Sequence, residues 1–262
     1  MTMGAAGTAS SNTINSAAPR RFDLGRLAMN AVVAGEGRPI VFIHGLGWDH
    51  TLWQRQIDRL SGRYKVIAGD VRGHGASDKP PGPYSIEMFA EDWAALCDEL
   101  KLGKTFFVGF SLGGMIVQRL ALMRPDLVGG LALAGTTCRV PESSRGHMDE
   151  RIAAMRSAGP VAAAEVASRA VFSEAWRTRN PDRISAFIAW RAKQDHSALA
   201  EVMKATTHFD VSKELNKIVA PTLVLVGSED TLMPPSAQTE IAERLPTAQM
   251  ATIAAGHMMS VE

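Results

Sequence analysis

Gly109-Phe110-Ser111-Leu112-Gly113 is the segment of this chain best placed to do chemistry. The serine follows the apolar run TFFVGF and opens the helix-like run LGGMIVQRLALM. It therefore falls on a sharp strand-to-helix turn, with its hydroxyl projecting at the carboxyl end of the strand. Such a turn strains the backbone at the serine, and glycines two positions to either side avoid the collisions that larger residues would cause. A glycine-rich turn with an incidental serine is the plain alternative; the flanking strand and helix patterns weigh against it. A serine hydroxyl is a weak nucleophile until a base takes its proton. Of the seven histidines, His44, His50, His74, His147, His196, His208 and His257, only His257 follows the last strand pattern, in AAGHMM. That is where chain order places the base of such an arrangement.

The base in turn needs an acid that holds its tautomer and stabilises the imidazolium. Asp230 closes the run PTLVLVGSED and stands 27 residues before His257, room for one helix and one strand. Glu229 is its adjacent rival, and a solvated loop carboxylate is the plain reading of either. The oxyanion formed on an attacked carbonyl needs fixed donors, each worth roughly 3 kcal/mol in comparable sites. Two backbone N–H groups are candidates: Leu112, at the helix start after the serine, and Leu46, in His44-Gly45-Leu46-Gly47 after an early apolar run. The expected set is Ser111 as nucleophile, His257 as base, Asp230 as acid, and Leu46 and Leu112 as oxyanion donors. Asp70, Arg72 and Asp78, in GDVRGHGASD, are read as locking a loop, since a better acid already follows in the chain. Cys138 is read as a packing residue, because no histidine or glycine elbow accompanies it.

To bring these residues together, the chain must supply several strands whose carboxyl ends share one edge. Short apolar runs bounded by glycine do recur, at 27–34, 40–44, 65–68, 105–110, 130–134, 222–226 and 249–254. The central ones are nearly all apolar, as strands buried on both faces of a parallel sheet must be. Helical patterns lie between them at 51–60, 86–100, 112–123 and 236–244, with Gly103 and Pro125 as punctuation. From 137 to 213 the strand patterns stop, and four helices are expected at 148–157, 161–171, 182–193 and 198–206. The division expected is a disordered tail over 1–20, an α/β core over 21–136 and 214–262, and a helical lid over 137–213.

Composition narrows the partners. With 28 Lys plus Arg against 27 Asp plus Glu, the chain lacks the basic excess of a nucleic-acid binder. No apolar run approaches the ~20 residues needed to cross a bilayer. The start, MTMGAAGTASSNTINSAAPRR, has neither the basic opening nor the apolar stretch of a signal peptide, which points to the cytoplasm. Cys97 and Cys138 have no metal-binding or paired spacing. The expected partner is a small molecule, with no nucleic acid, membrane, metal or cofactor.

Across nearly all of 22–262 the chain resembles the α/β-hydrolase family, and within it most nearly the 3-oxoadipate enol-lactonases and related esterases. The likeness is carried by GDVRGHGASDKPPGPYSIEMFAEDWAALCDEL and FFVGFSLGGMIVQRLALMRPDLV. HGLGWDHTLWQRQIDRL and the closing VGSEDTLMPPSAQTEIAERLP and AGHMMSVE add to it. The resemblance implies an α/β-hydrolase fold: a mostly parallel sheet flanked by helices, with an α-helical cap inserted. It also implies hydrolysis of an ester or lactone through an acyl-enzyme. Family members usually continue past the histidine with an IEQP-like run and a final helix. Here five residues follow His257: either the sequence stops short of that helix, or the helix is absent, and absence would leave the turn that carries His257 poorly supported.

The lid pattern is rich in large apolar residues: Met148, Met155, Phe172, Trp176, Phe187, Trp190 and Met203. They can pack the lid to the core, and some can line a substrate pocket, for which Trp176, Trp190 and Phe110 are the candidates. Arg139, Arg145 and Arg191 could hold a substrate carboxylate, but solvated surface is the reading adopted for each. Two other functions compete with ester or lactone hydrolysis. One is carbon–carbon bond hydrolysis on the same fold, whose enzymes usually show a longer glycine loop than HGLGWD. The other is a ligand-binding receptor that retains the triad.

Overall fold

The strands β1 (Arg20–Asp23), β2 (Ala28–Ala34), β3 (Pro39–Ile43), β4 (Lys65–Gly69), β5 (Thr105–Phe110), β6 (Val128–Ala134), β7 (Thr222–Gly227) and β8 (Ala248–Ile253) form one sheet in the computed structural model. Their order is β1-β2-β4-β3-β5-β6-β7-β8. The structure describes residues 17–157 and 159–262, without the side chains at 143–145, 147, 151 and 154–156. β1 and β2 run antiparallel to their neighbours, and every pairing from β4 to β8 is parallel. The register aligns the carboxyl ends: Ile43 stands opposite Gly109, Phe110 opposite Ala134, Ala134 opposite Leu225, and Gly227 opposite Ile253. The loops leaving β3, β5, β7 and β8 must therefore open on one edge, where ligands of open α/β sheets bind.

Side chains alternate along the central strands, so each strand feeds two cores. Val41, Ile43, Ile67, Phe107, Val224 and Val226 enter one apolar cluster. It is closed by Phe89, Trp93 and Leu96 of α2 (Ile86–Glu99), Met115, Ile116 and Leu120 of α3 (Leu112–Met123), and Ile241 of α9 (Pro235–Arg244). Phe42, Val66, Ala68 and Phe110 enter the other, with Ile57 of α1 (Gln54–Leu60). Phe172, Trp176 and Phe187 also join it, all from the segment between β6 and β7. β8 is a sheet edge, exposed along most of its length.

That segment carries α4 (Glu142–Ser157), α5 (Pro160–Val171), α6 (Glu174–Arg179), α7 (Pro181–Arg191) and α8 (His196–Thr206). Where four helices were expected, five stand among the described residues. The unexpected α6 is six residues long, too short for a helical period to show. It starts where the Ser173 hydroxyl accepts a hydrogen bond from the Trp176 N–H at 3.2 Å. β1 was also unforeseen: Arg-Arg-Phe-Asp is an edge strand with no apolar alternation, and Arg20 already belongs to it rather than to a tail. Residues 1–16 of the expected tail lie outside the described residues. No helix among the described residues is long and apolar enough to cross a membrane.

Candidate active site

Ser111 joins β5 to α3 with φ 54° and ψ −115°, a conformation that a non-glycine residue holds only under tight constraint. The constraints are visible: its N–H donates to the Ala134 carbonyl at 2.9 Å, and its own carbonyl accepts from the Thr136 hydroxyl at 2.8 Å. The flanking glycines have no room for a side chain. A methyl group at Gly109 would lie 2.5 Å from the Gly113 carbonyl oxygen, and one at Gly113 would lie 2.1 Å from that of Ile43.

His257 and Asp230 meet this serine from the loops after β8 and β7. The Ser111 Oγ stands 3.0 Å from His257 Nε2, and His257 Nδ1 stands 2.8 Å from Asp230 Oδ2. A carboxylate can only accept, so Nδ1 carries the proton and Nε2 is left free to take one from the hydroxyl. Asp230 also accepts from the N–H groups of Leu232 at 3.0 Å and Met233 at 2.8 Å, and from Gln238 Nε2 at 3.2 Å. All three side chains are buried, while Glu229 is exposed. The turn that carries His257 is tied down by its own hydrogen bonds. The Met258 N–H donates to the Val171 carbonyl at 3.1 Å. The Glu262 carboxylate accepts from Gly256 N–H, Ser173 N–H and Ser173 Oγ, which ties the turn to the inserted helices.

The turn after β3 faces the serine. Neither Leu46 N–H nor Leu112 N–H donates to any group among the described residues, so both are available to a ligand oxygen. Two buried histidines shape this turn from behind. The Gly47 N–H donates to His74 Nε2 at 2.9 Å, and the Val71 N–H donates to His44 Nε2 at 2.9 Å. Burial holds both imidazoles below their ordinary pKa, in the neutral form that can accept these bonds. Sequence reasoning assigned neither histidine this supporting role. The signals were a His-Gly step directly after a buried strand for His44, and a His-Gly step within the turn RGHGASD for His74.

Asp70, Arg72 and Asp78 do lock the adjoining loop, each through a different partner. Asp70 accepts from Asn30 Nδ2 at 2.9 Å, Ala76 N–H at 2.8 Å, His50 N–H at 2.8 Å and His50 Nδ1 at 2.7 Å. Burial pushes its pKa up, but the His50 ring and these other partners outweigh burial and hold it well below the usual carboxylate range. Arg72 grips Asp92 of α2 with two bonds, 2.8 and 2.7 Å, and Asp78 accepts from Ala28 N–H at 2.8 Å. Among the described residues Asp49, His50 and Asp70 are spaced as a cation site would be, yet these hydrogen bonds already account for Asp70. Cys138 is fully buried, and burial pushes its thiol up to about 12, which suits packing and not attack.

Above Ser111 lies a cavity of about 160 Å³, floored by Phe110, Ser111, His257 and the Leu46–Trp48 turn. Its roof comes from the inserted helices: Met148, Ala163, Val166, Ala167, Ala170, Val171, Phe187, Arg191, Met203 and Thr206. Phe110 lines it, and its ring stands 4.9 Å from that of His257. Trp176 and Trp190 do not line it. Trp176 stacks on Phe172 at 4.6 Å between centroids, and Trp190 packs on Trp48 at 5.3 Å and on Phe187 at 6.0 Å. The aromatic walls are instead Trp48 and Phe187. Helical phase relative to the core, invisible in a single segment, decides which apolar residue faces a cavity. The arginines part company too. Arg139 pairs with Glu240 at 2.9 Å on the surface, and the Arg145 side chain lies outside the described residues. Arg191, read as solvated, is buried in the cavity roof.

A hydroxyl aligned with an imidazole and a carboxylate, beside two open N–H groups under an apolar roof, can attack a carbonyl carbon and hold the charge that develops. Known proteins carry the same assembly of elements. Residues 38–262 match the alpha/beta hydrolase fold family. The chain is 29% identical over 238 residues to 3-oxoadipate enol-lactonase 2 of Acinetobacter baylyi, covering 90% of this chain and 88% of that one. It is 31% identical over 231 residues to RutD of Caulobacter segnis, whose name provisionally assigns it carbamate hydrolysis, covering 86% of each. The crystal structure of the enol-lactonase from Burkholderia xenovorans superposes with a TM-score of 0.87 at 28% identity, covering 92% of this chain and 94% of that one. The chain belongs to the alpha/beta hydrolase fold family, and it is a hydrolase.

Proposed function

We propose that this protein hydrolyses a small carboxylic ester or lactone through an acyl-enzyme on Ser111, with His257 as general base and Asp230 as the acid that orients it. The observation that carries the reading is the unbroken line from Ser111 Oγ to His257 Nε2 at 3.0 Å and from His257 Nδ1 to Asp230 Oδ2 at 2.8 Å. In the first half-reaction the Ser111 oxygen bonds to the carbonyl carbon, and its proton passes to His257 Nε2. The carbonyl oxygen becomes an oxyanion that accepts from Leu46 and Leu112 N–H. Collapse breaks the bond to the leaving oxygen, which takes the proton from His257. Water then attacks the acyl-enzyme, gives its proton to His257, and releases the acid as the Ser111 hydroxyl is restored. In a lactone the leaving oxygen stays tethered to the acyl part.

The inserted helices act in this reading as a cap, which sets the shape of the acyl pocket and keeps bulk water from the acyl-enzyme. A cytoplasmic location accompanies it; Cys97 and Cys138 are free and buried. The names of the relatives support ester or lactone cleavage, and carbamate cleavage is the competing outcome. A fluorophosphonate probe should label the protein once, at Ser111, and a pH-stat panel of esters, lactones and carbamates should show turnover of the first two. An adduct on any other residue, or turnover of carbamates alone, would reject the reading.

A further inference from the structure

His257 is held from both sides by the segment that joins α5 to α6. On one side, the Met258 N–H donates to the Val171 carbonyl at 3.1 Å. On the other, the Gly256 N–H donates to Glu262 Oε2 at 3.2 Å, and the same oxygen accepts from the Ser173 hydroxyl at 2.7 Å. Glu262 Oε1 accepts from the Ser173 N–H at 3.1 Å. One carboxylate thus gathers three donors, two from the junction between inserted helices and one from the residue directly before the histidine. The contact is too close for a side chain: a methyl group at Gly256 would lie 2.7 Å from Glu262 Oε1 and 2.9 Å from the Ser173 nitrogen.

Three donors aimed at two oxygens call for a group that only accepts, and an ionised carboxylate is that group. Glu262 is itself placed by the turn it closes, since its N–H and that of Val261 donate to the Met258 carbonyl at 3.0 and 2.8 Å. Ser173 is fixed in turn by α6, whose Trp176 N–H donates to the serine hydroxyl at 3.2 Å. Met258 is fully buried, in the apolar cluster that also holds Phe172 and Trp176. Gly256 and Met258 each stand one residue from His257, ~3.8 Å between Cα atoms. Fixing both neighbours leaves the imidazole little freedom to leave the line between Ser111 and Asp230. A misplacement of ~1 Å at such a base costs up to ~100-fold in rate.

We propose that Glu262 is a positioning residue for His257. It clamps the histidine turn to the α5–α6 junction, so that the base is aligned only while the inserted helices are seated on the sheet. Glu262 is not among the residues that line the cavity, so it acts on the rate and not on which ligand enters. This deepens the proposed hydrolysis and rests on the role given there to His257.

Glu262→Ala should lower kcat for an acetate ester by about 30–100-fold while KM changes less than about threefold. Phosphonate labelling at Ser111 should slow in parallel, and the low-field proton resonance of the His257–Asp230 hydrogen bond should broaden. Glu262→Gln keeps one accepting oxygen and should lose less. Ser173→Asp still caps α6 but sets a second carboxylate against Glu262, so kcat should fall there too. Adding Glu262→Gln to Ser173→Asp gives that carboxylate an amide donor and should recover at least about tenfold. Should Glu262→Ala fail to fold, the loss in Ser173→Asp and its rescue carry the test. The proposal is overturned by a kcat within about twofold of normal in folded Glu262→Ala, by an unchanged proton resonance, or by a Ser173→Asp loss that Glu262→Gln does not relieve. Unaltered protein that the phosphonate fails to label at Ser111 would defeat the serine reading instead, and the proton resonance would still report on the clamp.

Discussion

Ser111 and His257 on the floor of the cavity, with Asp230 behind them, are joined by fixed hydrogen bonds, whereas the roof brings hydrocarbon and one guanidinium that pairs with no carboxylate among the described residues. The floor hangs from strand ends whose positions the parallel register dictates. The roof hangs from helices packed on one another and on the Phe42–Phe110 face of the sheet. In the proposed reaction the groups that would hold developing charge lie on the rigid part, where reorganisation costs least. On the same reading, the groups that would distinguish one acyl chain from another lie on the part where shape can change without moving Ser111, His257 and Asp230. Substitutions on the floor should then act on all substrates alike, and substitutions on the roof should reorder them.

The largest effect should come from Ser111→Ala, which removes the covalent route and leaves only the oxyanion donors and binding. Its kcat should fall by about 10⁴-fold or more at an unchanged circular-dichroism spectrum. Near-normal ester turnover in that folded variant would break the comparison at its root. Asp230→Asn should follow, with a loss of about 10³–10⁴-fold, because the amide no longer holds His257 in the right tautomer. Glu229→Gln, at an exposed carboxylate, should stay within about twofold. Equal losses in the two variants would contradict the assignment of the acid.

The roof predictions divide packing from selectivity. Trp176 is buried against Phe172 away from the cavity, so Trp176→Ala should cost ~3–5 kcal/mol of stability and slow all substrates in proportion. Phe187 faces the cavity, and Phe187→Ala should shift kcat/KM between a bulky and an acetate ester by ~1–3 kcal/mol. A Trp176→Ala protein that reorders substrates, beside a Phe187→Ala protein that does not, would reverse the roles given to these two residues.

The smallest effect concerns the histidines behind the oxyanion turn. His44 and His74 are pushed below their ordinary pKa, by burial first. The unfolded chain therefore takes up protons below pH ~6.5 that the folded chain refuses, and stability falls as pH drops below that value. His50 has the opposite sign: its bond to Asp70 raises its pKa, so its contribution is complete below pH ~6.5 and lost as pH rises through the folded value. The urea midpoint should peak near pH ~6.5, each group contributing at most ~1.4 kcal/mol per pH unit. His50→Gln should flatten the alkaline limb alone. A midpoint that keeps rising as pH falls to ~5 would contradict the neutral, buried state of His44 and His74.

Much of the floor could be read residue by residue because each part has a local signature. The Ser111 elbow needs an apolar strand, two glycines and a helix start within a dozen residues, and all are contiguous in the chain. Asp230 and His257 follow strands in sequence, and the structure brings both within hydrogen-bond reach of each other. The unforeseen elements lack such signatures: β1 is a charged edge strand, and α6 has fewer than two turns.

By itself the sequence determined the strand-and-helix alternation, the strained turn at Ser111 and the order in which serine, acid and histidine are met. These depend on local propensities and on periods of two and 3.6 residues, which need no distant partner. Tertiary structure alone decided that Phe187 faces the cavity while Trp176 and Trp190 do not, that His74 holds the Gly47 N–H, and that Arg191 is buried without a carboxylate partner among the described residues. Each of these is a relation between segments far apart in the chain. A residue's own identity sets its charge and volume, but only the packing of other segments around it sets its solvent and its partners.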